Sequence, residues 1–160
     1  MTGDIVYYLR DFSCLNYSLI LPITAQVSET NTSIMRRHAA ALGDGVEVRG
    51  HSDLTLGDLK FSGNAQRRKR RYLLFHGSFL LNLDIERIER LLPLPTREPD
   101  YRHHRSHRDF LINADLASQE IQEALKKSWG ITQRLTDVPL DKIAALARQQ
   151  YASDDWTFKF

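Results

Sequence analysis

Two short alternating runs, Leu54-Thr55-Leu56 and Leu59-Lys60-Phe61, separated only by Gly57-Asp58, constrain this 160-residue chain more than any other feature. A two-residue, glycine-containing connection between alternating runs closes a β-hairpin, which commits the two segments to antiparallel pairing. With side chains alternating across each strand, the pattern predicts Leu54, Leu56, Leu59 and Phe61 on one face. Asp53, Thr55, Lys60 and Ser62 fall on the other. The apolar face has to be covered by other elements. The polar face carries one lysine beside Ser62-Gly63-Asn64-Ala65, whose backbone freedom could aim successive N–H groups at an anion.

Beyond a basic run, Tyr72 to Leu83 reads as one long strand with Gly77 between His76 and Ser78. Glycine inside a strand marks a bulge or a place where a ligand or another backbone comes close. Ile5 to Leu9 and Leu15 to Leu21 alternate as strands, and Asn31 to Leu42 reads as a helix closed by Gly43. Asp84 can cap a helix over Ile85 to Leu92, which Pro93 stops. Pro93 to Arg108 is a loop rich in proline and charge, followed by helices over Ser118 to Trp129 and Pro139 to Tyr151. The expectation is an α+β protein with a mixed or antiparallel sheet flanked by helices. Residues 1–160 read as one domain, a sheet-rich core over 1–92 and a loop plus C-terminal helices over 93–160, with Trp156 and Phe158 anchoring the tail on the core.

A chain with 42% hydrophobic and 26% charged residues has ordinary globular composition, which argues against disorder. Its single cysteine, Cys14, excludes an internal disulfide framework, fits a reducing compartment and is expected as a small buried residue. No apolar run reaches the ~18 residues of a membrane span, and no leader pattern opens the chain. A cytoplasmic protein without a membrane partner is expected.

The ordered set Asp53-Leu54, then Gly57-Asp58-Leu59-Lys60-Phe61-Ser62-Gly63-Asn64-Ala65-Gln66-Arg67, then Phe75-His76-Gly77-Ser78-Phe79-Leu80-Leu81, carries more information than any one piece. It resembles the catalytic core of lipoate–protein ligases, within the biotin/lipoate ligase superfamily. Cys14 to Ile20 resembles the strand after that family's glycine-rich loop, and Pro99-Asp100-Tyr101-Arg102 through Asp109-Phe110-Leu111 is similar to one bacterial branch. The resemblance implies a class II synthetase-like catalytic domain. It also implies two reactions: lipoate and ATP, presented with Mg, form lipoyl-adenylate, and the acyl group then passes to a lysine of a lipoyl-carrier domain. The carrier would be of the 2-oxoacid dehydrogenase E2 or glycine-cleavage H-protein type.

By the same resemblance Lys60 is the catalytic residue. A compact ammonium suits the bridging of a carboxylate and an α-phosphate. Asp53, with Leu54 beside it, lies at the nucleotide side, where it could contact Mg or orient Lys60. Ser62, Gly63, Asn64, Ala65, Gln66 and Arg67 approach the adenylate, and His76, Gly77 and Ser78 line the lipoyl and adenylate pocket. The family's Arg-Arg-x-Ser/Thr-Gly-Gly-Gly loop is expected upstream of Cys14, where Met1-Thr2-Gly3-Asp4 would be its remnant and Tyr8 to Ser13 would replace a glycine-rich connection. By this resemblance an N-terminally shortened domain is expected.

Other readings of the same residues stand beside this one. Lys60 could be a solvated strand lysine paired with Asp53, and His76 a satisfied core histidine. The fold could serve as a non-catalytic module that binds an acyl group or a carrier. Arg67-Arg68-Lys69-Arg70-Arg71 and Arg102 to Arg108 suggest nucleic acid, but a net charge of +2 and the lack of interleaved aromatics speak against it. His103 and His107 do not complete a tetrahedral zinc site. A related branch transfers octanoyl groups through a cysteine located shortly before the Asp53 position. Here Gly43, Asp44, Gly45 and Val46 stand thereabouts, which disfavours thiolate transfer.

Overall fold

The computed structural model describes residues 4–10 and 13–159, with side chains from residue 13 onward. The reading of residues 1–3 as a loop remnant, and of 11–12 within the altered connection, lies outside the described residues. Six strands form one antiparallel sheet: β1 (Asp4–Arg10), β2 (Cys14–Pro22), β3 (Val46–Arg49), β4 (Asp53–Leu56), β5 (Leu59–Arg68) and β6 (Tyr72–Leu80). Their spatial order is β1-β2-β6-β5-β4-β3. Six α-helices accompany them among the described residues: α1 (Val27–Leu42), α2 (Ile85–Leu91), α3 (His107–Phe110), α4 (Ser118–Trp129), α5 (Leu140–Leu146) and α6 (Asp154–Thr157). The fold is α+β, as the pattern predicts.

Local chemistry places most boundaries. α1 begins four residues before the expected Asn31, because Glu29 reaches back to accept from the Gln26 backbone N–H at 3.2 Å. The Asp84 carboxylate accepts from Arg87 N at 2.9 Å, and α2 ends just before Pro93. Sequence reading passed over β3, although Val46-Glu47-Val48-Arg49 alternates. It also ran β6 three residues too far. The supposed loop after Pro93 contains a 3₁₀ turn, Asp100–Arg102, and the start of α3, capped by Ser106 Oγ accepting from Asp109 N at 3.2 Å.

α1 and α4 cover one sheet face. Ile34, Met35 and Ala39 of α1 and Ile121, Leu125 and Trp129 of α4 join Leu15, Tyr17, Leu19, Leu54, Phe61, Leu73, Phe75 and Phe79 in a single core. The final helix departs from expectation. Residues 147–151 continue α5 as a π-helical turn, and Trp156 packs edge-on to Tyr151 at 5.1 Å rather than onto the core. Phe158 is 78% exposed, so the aromatic tail stays off the sheet. Tertiary packing, not aromatic content, decides whether such side chains are buried.

One polar group sits inside this core. His38 is fully buried between Tyr17 and Trp129 and accepts from Trp129 Nε1 at 3.0 Å, while its Nδ1 has no partner. Burial, and then the Arg37 guanidinium stacked on Trp129, push its pKa down to about 3. The unfolded chain therefore binds one more proton than the folded chain between about pH 3 and 6.5. The stabilisation is complete above about pH 6.5 and is lost as pH falls toward 3, with a slope of up to about 1.4 kcal/mol per pH unit. His38→Gln, which can still accept from Trp129, is expected to flatten that slope in denaturant titrations between pH 4 and 7.

Candidate active site at Lys60

A register shift in the hairpin determines which side chains share a face. Leu56 pairs with Leu59 and Thr55 with Lys60, as a Gly57-Asp58 turn requires, but Leu54 pairs with Ser62, so Phe61 is an extra residue in β5. Beyond this bulge the faces exchange. Ser62 was expected on the polar face with Lys60, but it is fully buried opposite the core residues Leu54 and Phe79. Asn64 and Gln66 follow it onto the helix-covered face. The Asn64 side chain accepts from Tyr17 Oη and donates to Ser52 O at 2.7 Å, while Gln66 Nε2 donates to Val27 O at 3.0 Å and also to Asn31 in α1.

The opposite face gathers the rest. Rows run Asn16-Ser78-Gly63, Ser18-His76-Ala65 and Ile20-Leu74-Arg67 across β2, β6 and β5. Opposed residues in antiparallel strands share a face, so Gly63, Ala65, Arg67, His76 and Ser78 lie on one surface with Lys60. His76 is exposed there, which removes the core-histidine reading. Ser78 Oγ donates to the Asn16 side chain. Gly77, between them, faces the other way: a Cβ there would stand 1.7 Å from Asn64 Oδ1 and 2.9 Å from Gly63 O. β6 pairs without interruption through it, so this glycine accommodates a side chain rather than a bulge.

Lys60 is 25% exposed, and its Nζ lies 2.8 Å from Asp53 Oδ1; the Asp53 side chain is 13% exposed. Asp53 Oδ2 accepts from Tyr101 Oη at 2.8 Å. A Cβ on Gly63 would come within 3.1 Å of both Cε and Nζ of Lys60, so the absence of a side chain there leaves room for the ammonium. Lys60 lines a cavity of about 350 Å³ together with Leu80, Leu83, Ile88, Leu92, Phe110 and Leu111, and Arg102 and His107 line it too. Leu111 bridges to Lys60, Ile112 N donates to Lys60 O at 3.0 Å, and Ala114 N donates to Leu80 O at 2.7 Å, which fixes this wall to the sheet.

Sequence reasoning missed Tyr101, which comes from the stretch read as a charged loop, and the apolar wall, whose residues are drawn from β6, α2 and the end of α3 and meet only in the folded chain. The only signal was the Pro99 to Leu111 resemblance. The histidines of that stretch separate: His107 is buried against Arg102 and Pro93 O, whereas His103 is exposed. No cluster of three or more His, Cys, Asp or Glu among the described residues could hold a metal. Of the basic run, Arg68 turns inward to Ala25 O and Thr30, while Arg67, Lys69, Arg70 and Arg71 are exposed. Cys14 is half-buried rather than buried; it opens β2 opposite Leu80, and desolvation raises its thiol pKa. No helix among the described residues is long and apolar enough to cross a membrane.

Residues 2–129 match the lipoyl protein ligase A/B catalytic domain family. The chain belongs to that family. It is 29% identical over 120 residues to the octanoyltransferase LipM of Bacillus subtilis, covering 67% of this chain and 43% of the relative. It is 26% identical over 129 residues to lipoate–protein ligase 1 of Staphylococcus aureus, covering 74% and 39%. The chain thus spans less than half the length of these curated relatives. Its fold matches a bipartite lipoate protein ligase of Thermoplasma acidophilum, reported together with its E2 lipoyl domain, with a TM-score of 0.72, 17% identity, and coverage of 91% of this chain and 64% of that one. A lipoate–protein ligase A bound with ATP gives 0.65 at 16% identity, covering 89% and 64%. This lipoyl ligase-type domain therefore belongs to a family whose members include both ligases and octanoyltransferases.

Proposed function

We propose that this domain activates lipoate with ATP to lipoyl-adenylate and transfers the acyl group to a lysine of a lipoyl-carrier domain. One observation carries the reading: the Lys60 ammonium, held by Asp53 beside Gly63, lines a largely apolar cavity. Acyl activation joins two anions, a carboxylate and an α-phosphate, and a fixed cation between them opposes their repulsion and the charge that develops in the transition state. Asp53 is the carboxylate beside Lys60, and a Mg ion arriving on the nucleotide phosphates fits it as a protein ligand, since Mg is commonly held by one or two carboxylates plus phosphates. Gly63, Ala65, Arg67, His76 and Ser78 offer the surface beside the adenylate. Ser62, Asn64 and Gln66 support that surface from beneath.

The LipM relatives favour a second reading, transfer of an octanoyl group without ATP. A thiolate would have to carry it. The one cysteine of this chain has its thiol pKa raised by burial, which opposes thiolate formation. The test mixes the folded protein with lipoate, Mg-ATP and an apo lipoyl domain and follows the carrier by mass spectrometry. A carrier heavier by one lipoyl group supports the ligase. Acylation from an octanoylated carrier without ATP supports the transferase instead. Calorimetric binding of lipoyl-adenylate without turnover would leave only a binding module.

A further inference from the structure

We propose that Tyr101 is a positioning residue for the Lys60 ammonium, acting through Asp53. The inference rests on the acyl-activating role proposed for Lys60. Asp53 is shared, with one oxygen 2.8 Å from Lys60 Nζ and the other accepting from Tyr101 Oη at 2.8 Å. A carboxylate held at both oxygens cannot rotate to take the ammonium with both of them. Lys60 therefore keeps one of its three N–H donors on Asp53, and two are left for the carboxylate and phosphate oxygens of a substrate.

Tyr101 is itself tightly built in. Arg105 Nη2 donates to Tyr101 O at 2.8 Å and to Asp58 O at 3.0 Å, tying the residue to the hairpin turn that launches Lys60. The ring lies 5.2 Å from Phe110, a wall of the Lys60 cavity. On its other side, Gly50 at φ +57° leaves space that a Cβ would fill to 3.4 Å from Tyr101 Cε1. A 3₁₀ turn 48 residues beyond Asp53 thus sets the geometry of the hairpin lysine.

Tyr101→Phe removes only the hydroxyl and keeps the ring on Phe110. Two measurements test it. In the unliganded protein, ¹⁵N NMR of the Lys60 ammonium, assigned by its loss in Lys60→Gln, is expected to show proton exchange faster by about tenfold in Tyr101→Phe, because the carboxylate is no longer fixed. In pyrophosphate release with lipoate and Mg-ATP, kcat should fall about tenfold while the KM values for both substrates stay within about twofold, as for an interaction expressed in the transition state. Unchanged exchange overturns the proposal whatever the activity, and so does faster exchange with wild-type kcat. Faster exchange in a protein whose wild type releases no pyrophosphate removes the activating role of Lys60 and leaves its positioning by Tyr101 standing.

Discussion

Lys60→Ala is expected to lower the rate of lipoate-dependent pyrophosphate release by about 10²- to 10³-fold, the range seen when a single preorganised electrostatic donor is removed. The loss should appear in kcat, because the ammonium acts on charge that develops between carboxylate and phosphate. Lys60→Arg should restore little. A planar guanidinium does not place a compact charge at the point where the Lys60 ammonium meets Asp53. Folding should be nearly untouched, since Lys60 is partly exposed and Asp53 keeps its bond from Tyr101, so a cost of ~1 kcal/mol or less is expected. Stopped-flow pyrophosphate assays paired with thermal melts measure both. A Lys60→Ala protein that still forms lipoyl-adenylate at a rate near wild type would remove the proposed chemistry.

Gly77→Ala is expected to produce the largest loss of stability of any single methyl insertion in the sheet. The new Cβ would overlap Asn64 Oδ1 at 1.7 Å and press the Gly63 carbonyl oxygen at 2.9 Å. Asn64 would have to leave a pocket in which it bonds Tyr17, Ser52 O and Ser62. Overpacking and lost buried hydrogen bonds together are expected to cost about 2–4 kcal/mol. The severest overlap is with the Asn64 side chain, so the second variant Asn64→Ala should relieve that part while the Gly63 contact remains, making the double mutant more stable than the sum of the two single losses. Denaturant midpoints of the four proteins close the cycle. Strict additivity, or a Gly77→Ala protein as stable as wild type, would refute this account of the glycine.

That pair also shows where the sequence was readable. The Gly57-Asp58 turn, its two alternating runs, the Asp84 cap and the Pro93 stop are settled by neighbours a few residues apart, and each was legible. The placement of Ser62, Asn64 and Gln66 was not. Phe61 is an extra residue only because β5 must meet β4 in one register and β6 in another, and no local pattern contains that requirement. The tail failed for a similar reason, since Trp156 and Phe158 are as apolar as any core residue but have no partner surface within reach of the sheet.

By itself the sequence determined an α+β chain with a lysine-bearing hairpin followed by a Gly77-containing strand, because turn chemistry and two-residue alternation act over short distances. Only the tertiary structure decided what surrounds that lysine. The bulge at Phe61 turned alternate β5 side chains under the sheet, and the segment after Pro93 delivered Tyr101 to Asp53 and Phe110 and Leu111 to the Lys60 cavity. The contact of Tyr101 with Asp53 joins residues 48 positions apart. The energies of such contacts depend on the packing of the whole sheet, and short-range pattern does not encode them.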